Sequence, residues 1–417
     1  MAKRIAATGN QAVAQAMRQI VPDVVAAYPI TPQTDVVEEF SSFVADGLVP
    51  TEFVPVESEH SSMSCCIGAA AAGARAMTAT SSQGLALMWE MLYIAAGMRL
   101  PIVMVNVNRA LSAPLNIHGD QSDSMGARDS GWIQLYCKNQ QEAYDTAIQA
   151  VRIAEHEDVR LPVMVCYDGF IVSHSLTGVD LLDDHQVRAF VGEARPHNPL
   201  LDPAHPVTYG PLTLFDYCFE FRRQLADTFY RVPAVIEEVA EEYARLSGRY
   251  YGRYEKHCLD DADIAVVALG SAASTAEVVV DDLRAQGVRA GLLRLRSFRP
   301  FPKEELAREL SHLKALCVLD RADSPGAFGG PVGIEVRSAL MESERRPLMI
   351  NGIYGLGGRD TTDELIASAY RRLEEVARTG QIEEPLFYLG VRGGKGNGGS
   401  GKPEAVGKEA GATHIRA

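Results

Sequence analysis

The chain has 417 residues, 47% of them hydrophobic and 23% charged, which is ordinary for a globular protein and sufficient for roughly two or three domains. Lys plus Arg number 40 against 54 Asp plus Glu, a net charge of −14, so there is no basic footprint for nucleic acid or an anionic membrane surface. Met1 to Asn10 passes directly into a polar turn without the apolar stretch of a signal peptide, and no later run approaches a membrane span, so a cytoplasmic protein is expected. The seven cysteines, at 65, 66, 137, 166, 218, 258 and 317, fall in no CxxC spacing. They read mostly as small buried apolar residues, and no metal site is expected on this chain.

In chain order, apolar runs at Val24–Tyr28, Ala76–Thr80, Ile102–Val107 and Pro162–Tyr167 alternate with helical patterns, one of them beginning after Thr34. This alternation predicts a parallel sheet with helices on both faces. From about 176 to 256 the chain is rich in Pro, His, Tyr and Arg and reads as a connecting region, with one clear helix near Ala234–Leu246. A second alternating block follows, with strands at Ile264–Ser271, Val288–Arg294 and Ala315–Leu319 and a helix from Thr275 to Gln286. Gly287 stands where a helix-ending glycine belongs. The last stretch, Arg392 to Lys402, has the glycine-rich composition of a flexible arm.

Three polar residues sit where open parallel sheets place ligands, at or just beyond strand ends: Thr31, Glu59 and Arg109. Thr31 lies in a turn fixed by Pro29 and Pro32, and the bland reading is a strand-to-helix loop. Glu59 opens a helix of small residues, Cys65 to Ala74, and would serve either to hold something packed closely there or merely to complement the helix dipole. Ser82 and Gln83, in Thr78-Ala-Thr-Ser-Ser-Gln-Gly84, offer a small-residue turn to an anion or a polar ring. Arg109, after a buried run, suits a carboxylate ligand or a structural salt bridge equally.

Five segments in order carry a resemblance: Tyr28-Pro-Ile-Thr-Pro-Gln-Thr34, Glu57-Ser-Glu59, Thr80-Ser-Ser-Gln-Gly84, Asn108-Arg-Ala-Leu-Ser-Ala-Pro114 and Gly119-Asp-Gln-Ser-Asp123. Together they resemble the alpha subunit of the 2-oxoacid:ferredoxin oxidoreductase family, of the pyruvate type, and the likeness extends to about Val391. It implies an α/β protein in three parts. Residues 1–255 would form a doubly wound, pyrimidine-binding thiamine diphosphate domain with its connecting region from about 176. Residues 256–390 would form a smaller domain like the transketolase C-terminal domain, and 391–417 a glycine-rich tail.

The resemblance also implies roles. Glu59 would hydrogen-bond the pyrimidine ring nitrogen, favouring the imino tautomer that removes the thiazolium proton, with Ser82 and Gln83 lining the cofactor. Thr31 would bond the oxo or hydroxyl oxygen, and Arg109 the carboxylate of the substrate or the intermediate. Because the chain lacks the Gly-Asp-Gly motif for Mg²⁺ and diphosphate, a beta subunit should supply that half of the site. Gamma and ferredoxin-like delta subunits should carry iron–sulfur clusters, and coenzyme A should accept the acyl group. The pair His118-Gly119, ahead of Asp120 in Ile117-His-Gly-Asp120, is smaller than the bulkier pair that pyruvate enzymes of the family often carry before the aspartate, so His118 and Gly119 become candidate pocket residues. On that ground phenylglyoxylate is preferred as substrate over pyruvate, with NAD⁺ as final acceptor through a flavin (FAD) subunit. The remaining alternative, of another class, is a non-catalytic nucleotide-binding or scaffold subunit, which predicts no dependence on Glu59.

Overall fold

The computed structural model describes residues 3–392 and contains fifteen strands: β1 (Lys3–Ala7), β2 (Val24–Ala27), β3 (Glu52–Pro55), β4 (Ala76–Thr80), β5 (Val103–Asn108), β6 (Ile133–Cys137), β7 (Val163–Asp168), β8 (Thr177–Leu181), β9 (Tyr254–His257), β10 (Ile264–Leu269), β11 (Ala290–Leu295), β12 (Ser297–Arg299), β13 (Ala315–Asp320), β14 (Leu348–Tyr354) and β15 (Leu386–Leu389). The expected strands fall within a residue or two of these. The glycine-rich stretch beyond Arg392 lies outside the described residues.

The first sheet has the order β12-β6-β7-β5-β4-β2-β3, parallel throughout except for β12. Strands β4 to β7 are buried along their whole length because helices cover both faces, which is why β4, β5 and β7 read as largely apolar runs. On one face pack the helices Gly9–Ile20 and Gln140–Glu155 around Val105, Val165 and Ile148. The chain runs from β2 outward to β3, then returns past β2 to β4, so the strand order reverses between β2 and β4. The crevice beyond the strand ends at such a reversal is where doubly wound sheets bind ligands.

The second sheet, β15-β14-β13-β10-β11-β9, is parallel apart from its edge strand β9. Gly287, at φ +87°, ends the helix Ala272–Ala285 ahead of β11 as expected. Met104, Tyr136 and Met164 from the first sheet share one apolar core with Leu293, Leu295 and Phe298 from the second half. Buried ion pairs reinforce that seam: Glu142 accepts from Arg296 Nε at 3.0 Å and also pairs with Arg294. The pairing lets both guanidinium groups lie in the interior without leaving a charge unmatched.

The segment 176–256 holds more structure than its composition suggested. It contains β8, which pairs with β1 in a small antiparallel sheet, and three helices: Asp184–Val191, Leu214–Phe229 and Val232–Ser247. The last of these is the one helix expected there. Among the described residues no helix is long and apolar enough to cross a membrane.

Candidate active site

The turn after β2 is pinned from below. Asn10 Nδ2 donates to Pro32 O at 2.7 Å, and the buried Tyr167 hydroxyl donates to Asn10 Oδ1 at 2.9 Å. Ile30 N donates to Gln33 Oε1 at 3.2 Å, so the Ile30–Gln33 turn is closed by its own side chain. Thr31 therefore stands exposed at the strand end, its hydroxyl without a partner among the described residues.

Arg109 reaches this turn from the end of β5. Its Nη1 donates to Thr31 O at 2.8 Å and its Nε to Asn116 O at 2.9 Å, leaving Nη2 without a protein partner among the described residues. The side chain is only 7% exposed, and burial pulls the guanidinium somewhat below its ordinary value. It stays charged nonetheless, because an arginine starts far above neutrality. The structure thus brings Thr31 and Arg109 into direct contact.

Glu59 begins the helix Glu59–Ala72, where Ser58 caps the first turn by accepting from Ser61 N. The carboxylate is 7% exposed yet accepts no hydrogen bond from any described residue. It lies against Gly84: a Cβ there would sit 2.7 Å from Glu59 Oε1 and 2.5 Å from Thr80 Oγ1. Gly84 is therefore required by close approach. Two more buried polar atoms near this point, Thr80 Oγ1 and Gln83 Nε2, also lack protein partners. Unpaired buried polar groups cost about 1–3 kcal/mol each, so this concentration is what a site for a polar ring would show.

Ser82 behaves differently from Gln83. It is fully buried with φ +48°, and its hydroxyl lies 2.6 Å from both Ala110 O and Gln83 Oε1. That oxygen is engaged within the protein, so Ser82 shapes the turn while Gln83 Nε2 is the group left free.

His118 and Gly119 lie in the loop after Arg109. The His118 ring lies tilted against Phe170 with centroids 4.7 Å apart, and Phe170 lies in turn against His174 at 4.8 Å. Gly119 is wedged so that a Cβ would meet Gly169 O at 2.8 Å and Asn108 O at 3.1 Å. On its other side the loop is held by the second half of the chain. Gly357 N donates to Asp120 Oδ2 and Asn116 Nδ2 donates to Gly357 O, both at 2.9 Å.

One residue was not singled out by sequence. Asp123, buried in a short helix after this loop, collects donors from three separated segments. Its Oδ2 accepts from Ser82 N and Arg109 N, each at 3.0 Å, and its Oδ1 from Asn108 Nδ2 at 2.8 Å and Ser124 N at 2.7 Å. Burial pushes its carboxyl up to about 6, while the donors gathered on its two oxygens favour the ionised form. It ties the Ser82–Gly84 turn, against which Glu59 rests, to the backbone of Arg109. The signal was present in the Gly119–Asp123 segment but carried no role there. The one trio of metal-capable side chains among the described residues is His257, Cys258 and Asp281, on the edge of the second sheet.

Residues 15–241 match the family profile described as Pyruvate flavodoxin/ferredoxin oxidoreductase, thiamine diP-bdg, and residues 262–366 match Pyruvate:ferredoxin oxidoreductase core domain II. The chain is 56% identical over 390 residues to pyruvate synthase subunit PorA of Thermotoga maritima, covering 94% of this chain and 98% of that one. It is 49% identical over 387 residues to the PorA of Methanocaldococcus jannaschii, covering 92% and 97%. The ketoisovalerate oxidoreductase subunit VorA of Pyrococcus abyssi is 43% identical over 92% of this chain and 97% of its own. Among solved structures, the 2-oxoglutarate:ferredoxin oxidoreductase of Magnetococcus marinus, with 2-oxoglutarate, coenzyme A and succinyl-CoA bound, superimposes with a TM-score of 0.68 at 20% identity. That alignment takes in 88% of this chain and 65% of the longer one, and it bears on the fold alone. With one profile spanning the first sheet and the other the second, and near full-length relatives at this identity, the chain belongs to the pyruvate:ferredoxin (2-oxoacid) oxidoreductase family as an alpha subunit.

Proposed function

We propose that the chain holds the pyrimidine half of a thiamine diphosphate site in a pyruvate:ferredoxin oxidoreductase. The reaction takes pyruvate and coenzyme A to acetyl-CoA and CO₂, and two electrons leave to ferredoxin. The observation that carries this reading is the Thr31–Arg109 contact, which brings together beyond the strand ends a guanidinium nitrogen and a hydroxyl that no described residue engages. A 2-oxoacid has a carboxylate next to a carbonyl, the pair of groups those two donors would satisfy. Arg109 would hold the carboxylate and Thr31 the oxo oxygen.

Glu59 and Gln83 would hold the pyrimidine, and the unpaired buried carboxylate of Glu59 fits that ring's need for a hydrogen-bond partner. The cofactor, when bound, supplies the carbon nucleophile and the sink for the electrons released by decarboxylation. Glu59 would hold a proton at the ring nitrogen and Arg109 would fix the substrate beside the cofactor, with the Asn116–Asp120 loop anchored next to Arg109. The diphosphate and Mg²⁺ would be held by a beta subunit. Gamma and ferredoxin-like delta subunits would carry the iron–sulfur clusters.

The relatives named for pyruvate support pyruvate over phenylglyoxylate as substrate. The smaller His118-Gly119 pair does not restore the aromatic preference, because the His118 ring lies against Phe170 and adds bulk there. Nothing in the relatives' names favours NAD⁺ as acceptor. The test is coenzyme A-dependent turnover of the assembled complex on pyruvate, phenylglyoxylate and 2-oxoisovalerate, with ferredoxin or a viologen dye, for the natural chain and for Glu59→Gln. Pyruvate preference with loss of turnover in Glu59→Gln is expected. Unchanged turnover in the variant would sink the role of Glu59 and favour a scaffold.

A further inference from the structure

Between Arg109 and the short helix Ser122–Gly126 the chain forms no strand or helix, and from Ser112 to His118 it buries no apolar side chain: Leu115 and Ile117 are 79% and 44% exposed. A loop without a seat in the core is held by its polar contacts. Asn116 is the pivot of these. Its backbone O accepts from Arg109 Nε at 2.9 Å, and its Oδ1 accepts from His118 N at 2.8 Å, which turns Nδ2 toward Gly357 O at 2.9 Å. Asp120 Oδ2 accepts from Gly357 N at 2.9 Å. The loop thus grips both the N–H and the C=O of one residue in the second half of the chain.

The turn that presents Gly357 is itself anchored. Arg321 Nε donates to Gly355 O at 3.3 Å, and its Nη1 pairs at 3.1 Å with Asp168, buried at the end of β7. The fit between turn and loop is close: a Cβ on Gly357 would strike Asn116 Nδ2, and one on Gly358 would strike the Cβ of His118. A guanidinium is planar, so holding two of its nitrogens fixes the direction of the third. For Arg109 one hold is Thr31 O, in the turn pinned by Asn10 through Pro32 O. The other is Asn116 O, whose own place depends on Gly357.

We infer that Gly357, acting through Asn116, is a positioning element for Arg109, so that the second half of the chain sets the affinity for the carboxylate of the 2-oxoacid. The inference rests on the catalytic reading of Arg109 and deepens it. The experiment is steady-state turnover of the assembled complex on pyruvate and coenzyme A, with a viologen dye, for the natural chain and Asn116→Asp. That substitution keeps the shape, the backbone O and an acceptor for His118 N, but sets an oxygen against Gly357 O. The KM for pyruvate should rise roughly tenfold while kcat and the KM for coenzyme A stay within about twofold. A merely structural loss would lower kcat through the amount of folded enzyme and leave the KM for pyruvate alone. Hydrogen exchange of the full-length chain supplies a reading without turnover: amides in 110–120 should exchange faster in Asn116→Asp, and in Asp120→Asn, which loses the acceptor for Gly357 N. A working natural complex whose Asn116→Asp variant keeps its KM for pyruvate, or unchanged exchange in both variants, would overturn this inference alone. A natural complex that turns over no 2-oxoacid would overturn the catalytic reading and this inference with it.

Discussion

Replacing Asp123 by Asn keeps the shape and removes one acceptor atom. Whichever way the amide is oriented, its NH₂ faces at least two donors that a carboxylate oxygen now accepts: Ser82 N, Arg109 N and Asn106 Nδ2 on one side, or Asn108 Nδ2 and Ser124 N on the other. Two buried donors without partners cost about 2–6 kcal/mol, and relief from burying a charge offsets part of that. A net loss of ~3 kcal/mol corresponds to a midpoint lowered by roughly 3–5 °C for a cooperative unit as large as this chain. Thermal unfolding of the full chain followed by circular dichroism reads it directly. The same change frees the backbone at Arg109, so the KM of the assembled complex for its 2-oxoacid should rise as the midpoint falls. A midpoint within about 2 °C of the natural chain, together with an unchanged KM, would refute the account of Asp123 as the knot of the site.

Gly84→Ala pushes a methyl group into the space of Glu59 and Thr80 and should lower kcat about a hundredfold with little change in unfolding midpoint, since a small misplacement of a reacting group is enough. Arg109→Lys leaves one nitrogen to serve Thr31 O, Asn116 O and the substrate carboxylate; KM should rise roughly ten- to a hundredfold, with steady-state kinetics as the check. Asp184 receives a paired hydrogen bond from Arg18, which holds its carboxyl down to about 2. Its folded value lies below the unfolded one of about 3.9, so its stabilisation is full above pH ~4 and is lost as pH falls through about 2. Urea unfolding of the natural chain and of Asp184→Asn should therefore differ at pH 5 and converge toward pH 2.

Thr31 and Arg109 were legible in the sequence because each breaks off an apolar run that can only be a buried strand, and polar residues at such ends face the ligand crevice. Glu59 was legible as the opening residue of a small-residue helix, although only the structure shows Gly84 making room for it. Asp123 was not, because its meaning lies in donors about 15 and 41 residues away that meet only after folding. The helix Leu214–Phe229 was missed for another reason. Phe215, Tyr217, Phe219 and Phe221 alternate with other residues in the rhythm of a strand, yet the segment is helical. Local pattern and final structure disagree there. The substrate preference drawn from His118-Gly119 finds no support in the relatives named for pyruvate; residue size in a loop says nothing about where the ring goes.

The short strand Ser297–Arg299 leaves its neighbours in the second half and completes the edge of the first sheet beside β6. A gene cut near residue 255, where composition alone invites a boundary, would yield a first half with β6 bare along its outer side and Glu142 deprived of both arginines. Such a fragment would offer an open strand edge to others like itself, and aggregation rather than a working half-site should be its fate. The two halves of this chain are consequently one unit of inheritance: shuffling or trimming at the apparent joint would have to carry a three-residue strand across it.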